Sequence, residues 1–327
     1  MPSPTPIVWT DIDLVAEARE LLSDGGTKLE SQPEGSLAGI NDAAAIIAGS
    51  LIRGNAALFD QTPGLLVIVR SGIGYERIDL EAASAAGVFA ANTPDAPTES
   101  TAEFTIALML AVSRRLCTGA VELAYGRWSN ATNVTGIDLA DKTLGLVGCG
   151  RIGSRVANIA RALGMQVKVF DPLAAALPTE VIRVPDLATL LATSDVISLH
   201  VPSTQATWHI IDASALAVMK PGAILINTAR GSLIDADALH AALQSNRLSG
   251  VGLDVWDPEP PSADLPLLRH PRVIATPHMA ALTREGRIRS HLAAATQVMQ
   301  VIRGESPRFL LNPAVCSRRR SSPWAKV

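Results

Sequence analysis

Short apolar segments alternate along the chain with longer segments in which apolar residues recur every three or four positions. This alternation is typical of parallel β-strands connected by helices that cover both faces of the sheet. Near the start of the chain it predicts strands at residues 7–9, 45–48, 65–69 and 88–90. Helices are expected between these strands, at residues 14–22 and 80–86 among others. The first part of the chain should therefore form one α/β domain.

A second series of the same kind begins with an apolar helix at residues 101–115. Its strands are expected at residues 144–147, 167–170, 196–199, 224–227, 250–254 and 273–275. No strand follows the last helical pattern, residues 291–303, so we expect this helix to return to the first domain. We predict an α/β fold with two doubly wound parallel-sheet domains. A Rossmann domain (101–284) is inserted in a flavodoxin-like domain built from residues 1–100 and 285–327.

A complete G-x-G-x-x-G pattern follows the strand predicted at residues 144–147. Gly148 permits a tight turn, Gly150 lets the backbone approach a pyrophosphate, and Gly153 allows close helix packing. The start of the following helix, at residue 152, attracts the anion. Asp171, after the next strand, can accept hydrogen bonds from ribose hydroxyls and repel a 2'-phosphate. The pattern therefore predicts an NAD site and favours NAD over NADP.

Composition narrows the class of protein. The chain has 327 residues, of which 48% are hydrophobic, which is enough to build the cores of two domains. A net charge of −3 provides no broad basic field for nucleic acid, and a charged fraction of 18% argues against disorder. The basic run 318–320 is interpreted as a solvated terminus.

The sequence shows no secretory signal and no apolar run of about 18 residues. We therefore expect no membrane partner and a cytoplasmic location. Cys117, Cys149 and Cys316 are odd in number and widely spaced, which favours three reduced thiols over disulfides or a metal site.

Polar residues stand at or beyond the ends of three predicted strands: Arg230, Asp254 and His278, with Glu259 in a proline-rich loop. The carboxyl ends of parallel strands share one edge of a sheet, so these side chains can converge. The planar guanidinium of Arg230 suits the oxygens of an α-keto acid. His278 can exchange a proton near neutral pH, and Glu259 can hydrogen-bond it. Taken singly, each residue could instead be structural, as an ion pair, a packed histidine or a loop carboxylate.

The chain resembles the D-isomer-specific 2-hydroxyacid dehydrogenase family in several motifs that occur in the family's order. These motifs lie at residues 92–94, 101–103, 144–153, 199–204, 219–232, 252–256 and 276–278. The resemblance implies reversible reduction of a 2-keto acid by NADH, with Arg230, Glu259 and His278 as catalytic residues. His278 would be the acid and base, Arg230 would polarise the substrate, and Glu259 would orient the imidazole.

The resemblance also implies the residues that bind the ligands. The substrate would contact Arg230, His278 and the backbone of Ser71, Gly72, Ile73 and Gly74. The cofactor would contact Gly148, Gly150, Arg151, Ile152, Gly153, Asp171, Pro202, Thr204, Thr228, Ala229, Arg230, Asp254, His278 and Ala280. Asp254 would hold the nicotinamide carboxamide.

Several alternatives remain open at this point. A formate dehydrogenase would pair its histidine with glutamine rather than Glu259, whereas an NAD(H)-sensing corepressor could retain all three catalytic residues. Phosphoglycerate is a possible substrate, but members of the family that are specialised for it often carry an extra regulatory domain. Because the chain ends soon after residue 313, a small unphosphorylated keto acid such as glyoxylate or hydroxypyruvate is expected. Members of the family are usually homodimers, joined through helix 101–115 and the loop around Trp128, although Trp128 could equally be a core residue.

Overall fold

The structure is a computed structural model that describes residues 5–34, 36–132 and 134–324. The chain forms two compact units, Met1–Pro97 with Leu282–Val327 and Thr98–Ala281. The sequence pattern places these boundaries at residues 100 and 284. The first unit is therefore discontinuous in sequence.

The first segment contains β1 (Ile7–Thr10), α1 (Ala16–Asp24), β2 (Lys28–Ser31), β3 (Ala43–Ala48), α2 (Ala56–Gln61), β4 (Val67–Arg70), α3 (Leu80–Ala85) and β5 (Phe89–Asn92). The second unit contains α4 (Thr98–Ser113), α5 (Leu116–Ala124), α6 (Trp128–Thr132), β6 (Thr143–Val147), α7 (Arg151–Ala162), β7 (Gln166–Phe170), β8 (Ile182–Arg183), α8 (Leu187–Thr193), β9 (Val196–Leu199), α9 (Ala213–Val218), β10 (Ala223–Asn227), α10 (Ala236–Gln244), β11 (Leu248–Leu253) and β12 (Val273–Ala275). The last helix of the chain is α11 (Arg284–Ile302).

The sheet of the first unit is parallel throughout, with the order β2-β1-β3-β4-β5. This is the flavodoxin-like order, as predicted. The pattern of apolar residues missed β2, which pairs only with β1 and lies at the edge of the sheet. Because none of its side chains is buried, its sequence contains no apolar run.

Helix α11 completes the core of the first unit. The sequence pattern predicts this return of the last helix to the first domain. Its residues Ala294, Ala295 and Val298 are fully buried in the same apolar cluster as Val8 and Ile47. The helix begins at Arg284 rather than at residue 291, because its first turn is polar and carries no apolar pattern.

The basic tail at residues 318–320 is not simply solvated. The guanidinium of Arg320 donates hydrogen bonds to the carbonyl oxygens of Thr62 (2.8 Å) and Leu65 (2.9 Å). Its backbone amide donates to the carbonyl of Gly87 at 3.0 Å. The tail is therefore anchored to the first unit at Arg320.

The sheet of the second unit has the order β12-β11-β10-β9-β6-β7-β8, and all its pairs are parallel. This is the doubly wound dinucleotide-binding order extended by one strand, which confirms the predicted fold class. Strands β6 and β9 lie side by side where the strand order reverses, and ligands bind at such a switch point beyond the carboxyl ends of the strands. The pattern missed β8, a two-residue exposed edge strand.

Within the described residues, no single helix is long and apolar enough to cross a membrane. Helices α4 and α5 meet the length and composition criteria only as a pair, and they are bent by 62° at the break between them.

His291 of α11 makes the stability of the first unit depend on pH. Its Nδ1 accepts a hydrogen bond from the amide of Val15 at 3.1 Å, and the residue is 6% exposed. Burial lowers the pKa of His291, and the charge of Arg287 lowers it further, against a smaller opposing effect of Asp13. The pKa of His291 is therefore lower in the folded protein than in the unfolded chain. The contribution of His291 to the free energy of unfolding is complete above about pH 6.5 and is lost as the pH falls through the folded pKa.

We therefore predict that the free energy of unfolding of the wild type falls between about pH 7 and pH 5, and that His291→Gln makes this fall smaller. Urea unfolding at both pH values measures the difference. An equal fall in the variant and the wild type would contradict this role of His291.

Candidate active site

The turn after β10 presents Arg230, and it is fixed by the side chain of the buried Asn227. The Oδ1 of Asn227 accepts from the amide of Ala229 at 3.0 Å, and its Nδ2 donates to the carbonyl of Arg230 at 2.8 Å. A Cβ at Gly231 would lie 2.1 Å from the carbonyl carbon of Trp256. Only glycine at this position lets the loop after β10 pack directly against the loop after β11.

His278 and Glu259 form a hydrogen-bonded pair, with 2.8 Å between Nδ1 of His278 and Oε2 of Glu259. The other carboxylate oxygen of Glu259 accepts from the amide of Trp256 at 3.0 Å. Because a carboxylate accepts, Nδ1 carries the hydrogen, and Nε2 is left to exchange a proton. Within the described part of the chain, Nε2 has no hydrogen-bond partner.

The charge state of Glu259 follows from its surroundings. Burial raises the pKa of Glu259, but the hydrogen bonds from His278 and the Trp256 amide, with the positive charges of His278 and Arg230, hold the pKa below its usual value. Glu259 is therefore ionised at neutral pH. The positive charge of Arg230 thus helps to keep Glu259 ionised.

Asp254, at the end of β11, ties down the loop that carries His278. Its fully buried carboxylate accepts from the hydroxyl of Thr276 (2.6 Å) and from the amides of Met279 (2.9 Å) and Ala280 (2.8 Å). Its carbonyl accepts from the amide of His278 at 2.7 Å, where the backbone of His278 is left-handed with φ of 53°. Sequence reasoning did not anticipate this role, since it assigned Asp254 to the nicotinamide alone.

The three glycines of the fingerprint have different surroundings. Gly148 has a φ of +92°, and a Cβ there would lie 2.7 Å from the carbonyl oxygen of His200. A Cβ at Gly153 would lie 2.5 Å from the carbonyl oxygen of Gly148, whereas a Cβ at Gly150 would meet nothing within 4 Å. Gly150 therefore borders open space at the start of α7. No described residue accepts a hydrogen bond from the amide of Ile152 in the first turn of this helix.

Asp171 follows β7 and already serves the protein backbone. Its Oδ2 accepts from the amide of Cys149 at 2.8 Å, and its Oδ1 accepts from the amides of Leu173 (2.9 Å) and Ala174 (3.0 Å). Each oxygen retains lone pairs beyond these bonds. Burial raises the pKa of the Cys149 thiol, so Cys149 remains a protonated, packed side chain.

The remaining predicted cofactor residues of this unit lie in loops after β9 and β10. Pro202 and Thr204 are held by the hydroxyl of Thr207, which donates to the carbonyl of Pro202 (2.7 Å) and accepts from the amide of Thr204 (2.8 Å). The hydroxyl of the buried Thr228 lies 2.8 Å from that of Thr105. His200 precedes this loop, and burial lowers its pKa to about 4, so its imidazole is neutral.

In the first unit, the loop 71–74 has most of its backbone groups paired. The amide of Ser71 donates to the carbonyl of Ala48 (3.0 Å), and the amide of Gly72 donates to the hydroxyl of Thr93 (2.8 Å). The amides of Ile73 and Gly74 have no partner among the described residues. Of the four residues expected to bind a carboxylate, two therefore retain a backbone donor for it.

A separate network holds this loop in place. The hydroxyl of Ser290 in α11 lies 2.9 Å from that of Ser71 and 3.1 Å from that of Thr93. Asn92 donates from Nδ2 to the carbonyl of Ile73 at 2.7 Å. Across the described ranges, no group of three or more His, Cys, Asp or Glu residues could hold a metal ion.

Comparison with known proteins identifies the family. Residues 106–280 match the family model described as D-isomer specific 2-hydroxyacid dehydrogenase, NAD binding domain. This match confirms NAD as the cofactor predicted from the glycine fingerprint. A D-3-phosphoglycerate dehydrogenase of Methanocaldococcus jannaschii is 39% identical over 84% of this chain and 52% of its own length. The chain thus spans about half the length of this relative.

Other relatives match along nearly their whole length. A glyoxylate reductase of Aeropyrum pernix is 35% identical over 96% of this chain and 98% of its own. The crystal structure of the TT0316 protein of Thermus thermophilus has a TM-score of 0.86 and 37% identity, and it covers 93% of this chain and 99% of its own. The chain therefore belongs to the D-isomer specific 2-hydroxyacid dehydrogenase family, as its motifs predicted.

Proposed function

We propose that this protein catalyses the reversible reduction of a small 2-keto acid to the D-2-hydroxy acid with NADH. The observation that carries the proposal is the 2.8 Å hydrogen bond between Glu259 and His278, formed within the electrostatic reach of Arg230. It supplies a proton donor, a group that stabilises its charged form and a fixed cation, as such a reduction requires. Bound NADH would supply the hydride.

Arg230 binds the keto acid through its planar guanidinium and stabilises the negative charge that grows on the carbonyl oxygen. His278 donates the proton from Nε2, and the ionised Glu259 stabilises the imidazolium before the transfer. In the oxidation direction, the neutral His278 accepts the proton. The pairing with Glu259, rather than with a glutamine, favours a 2-hydroxy acid over formate as the substrate.

The loop 71–74 of the first unit offers backbone hydrogen-bond donors. The unpaired amides of Ile73 and Gly74 support a role for the loop 71–74 in binding the carboxylate of the substrate. Backbone N–H groups can bind an anion without a charged side chain.

The substrate we propose to test first is glyoxylate, because the Aeropyrum pernix relative that matches along nearly its whole length is named a glyoxylate reductase. The decisive test follows NADH oxidation at 340 nm with a panel of glyoxylate, hydroxypyruvate, pyruvate, phenylpyruvate and 3-phosphohydroxypyruvate. Turnover of an unphosphorylated acid supports the proposal, and preference for the phosphorylated acid would favour a phosphoglycerate dehydrogenase. Tight NADH binding without any turnover would favour an NAD(H) sensor.

His278→Gln should lower kcat by about a thousandfold, because glutamine cannot donate a proton as an imidazolium does. The affinity for NADH, measured by fluorescence titration, should stay within about twofold of the wild type, since the substitution preserves size and polarity. His240→Gln, on α10, is the control for the loss of a histidine elsewhere in the unit. Wild-type turnover by His278→Gln would refute the assignment of the acid.

We propose that the cofactor pyrophosphate passes over Gly150, where a Cβ would meet only open space. For the other cofactor residues we propose the roles inferred from the resemblance. Asp171 retains lone pairs for the ribose hydroxyls, and the amide of Ile152 is available for the pyrophosphate.

Gly150→Ala should therefore leave the free energy of unfolding unchanged. It should weaken NADH binding by about tenfold, since the new methyl group would keep the pyrophosphate from approaching the backbone closely. Gly153→Ala is the matched comparison. Its Cβ would lie 2.5 Å from the carbonyl oxygen of Gly148, so this variant should lose about 2 kcal/mol of stability. If Gly150→Ala binds NADH like the wild type, the pyrophosphate lies elsewhere.

We further propose that the protein is a homodimer in the cytoplasm. Helix α5 has no buried residue, and Leu116, Val121, Tyr125 and Trp128 in and after it are at least half exposed. Large apolar side chains exposed this close together in the chain support an interaction site here. Trp128, with 68% exposure, is a surface residue rather than part of the core. The three cysteines are free thiols, in keeping with a reducing compartment.

Val121→Asp should shift the mass of the particle from dimer to monomer in sedimentation velocity, because burying the new carboxylate in the interface would be costly. Val218→Asp on α9 replaces a valine of similar exposure, 43% against 50%, and should remain dimeric. A monomeric wild type, or a dimeric Val121→Asp, would contradict this interface.

A further inference from the structure

Trp256 lies where the loops after β10, β11 and β12 meet. Its backbone amide donates to Oε1 of Glu259 at 3.0 Å, and its indole Nε1 donates to the carbonyl oxygen of Thr276 at 2.9 Å. Its own carbonyl carbon is the atom against which Gly231 packs. One residue therefore contacts the loops that carry Arg230, Glu259 and His278.

One of the two hydrogen bonds goes to Glu259 itself, and the other goes to the segment that leads to His278. The amide of Trp256 holds one oxygen of Glu259, so the other oxygen points to His278. The hydrogen bond from the indole holds the backbone at Thr276, which directly follows β12 and precedes His278 by two residues. Neither the carboxylate nor the imidazole can shift without breaking a bond to Trp256 or to the other member of the pair.

The ring of Trp256 is itself firmly anchored. It is 9% exposed and packs in the apolar core of the unit together with Leu253 and Leu267. A buried ring has few rotamers available, so the N–H is presented in one direction. Phenylalanine would fill most of the same space but has no donor.

We propose that Trp256 is a positioning residue for the reaction, in that its indole N–H fixes the Glu259–His278 pair relative to Arg230. This role rests on the proposed function, because it acts only through the acid and base of that reaction. The observed contacts of Trp256 are with the loops that carry the reacting groups. It should therefore affect turnover rather than substrate binding.

Trp256→Phe tests the role by removing the N–H and retaining an aromatic ring. Trp9→Phe is the matched control, because Trp9 is also buried and its Nε1 donates to the carbonyl of Ala38 at 3.0 Å. Both variants lose one indole hydrogen bond and should lose similar stability. Trp256→Phe should lower kcat by about tenfold with KM for the keto acid within about twofold, whereas Trp9→Phe should change neither.

A double-mutant cycle with Glu259→Gln separates positioning from a general loss of structure. If Trp256 acts through the Glu259–His278 pair, Trp256→Phe should lower kcat by less than about threefold in the Glu259→Gln background. Substitution of Trp256 by benzothienylalanine, in which sulfur replaces the N–H, repeats the test with the shape of the ring unchanged. It serves in place of Trp256→Phe if that variant does not fold.

The outcomes distinguish this role from the proposed function. Absence of wild-type turnover on every keto acid would contradict the proposed function and this role with it. On an active wild type, a Trp256→Phe variant that matches Trp9→Phe, that raises KM alone, or that loses the full tenfold again in the Glu259→Gln background would overturn the role of Trp256 only.

Discussion

The arrangement at the carboxyl edge of the second sheet depends on the buried carboxylate of Asp254. A carboxylate without partners in this position would be strongly destabilising, because burial removes its hydration. Here it accepts hydrogen bonds from Thr276, Met279 and Ala280, all in the segment that surrounds His278. Hydrogen bonds to charged groups are worth about 1.5–3 kcal/mol each, so the loop is held strongly to the end of β11.

This constraint allows His278 to keep a left-handed backbone, with φ of 53°, which is uncommon for a residue other than glycine. Such conformations persist only where the surroundings determine them, and they are concentrated at functional sites. The neighbouring loops are fixed in a similar way, by Asn227 after β10 and by Trp256 after β11. The loops that follow these strands thus present Arg230, Glu259 and His278, and the hydrogen bonds of Asn227, Trp256 and Asp254 hold these loops in place.

Much of this site could be predicted from the sequence. Arg230, Asp254 and His278 stand at the ends of predicted parallel strands, which must meet at one edge, and the fingerprint glycines differ in their surroundings as their spacing suggests. The roles of Asn227, Trp256 and Thr276 could not be predicted, because the direction of a side-chain hydrogen bond does not follow from spacing. Strands β2 and β8 were missed because short exposed edge strands have no apolar periodicity.

At this edge of the sheet, His278 would supply a proton to a 2-keto acid while bound NADH supplies the hydride. The most direct measurement follows deuterium from NADH that carries deuterium at both positions of nicotinamide C4 into the product of hydroxypyruvate, with the configuration of the product determined on a chiral column. The account predicts D-glycerate with one deuterium at C2. An L product, or a reduced product without deuterium at C2, would contradict it.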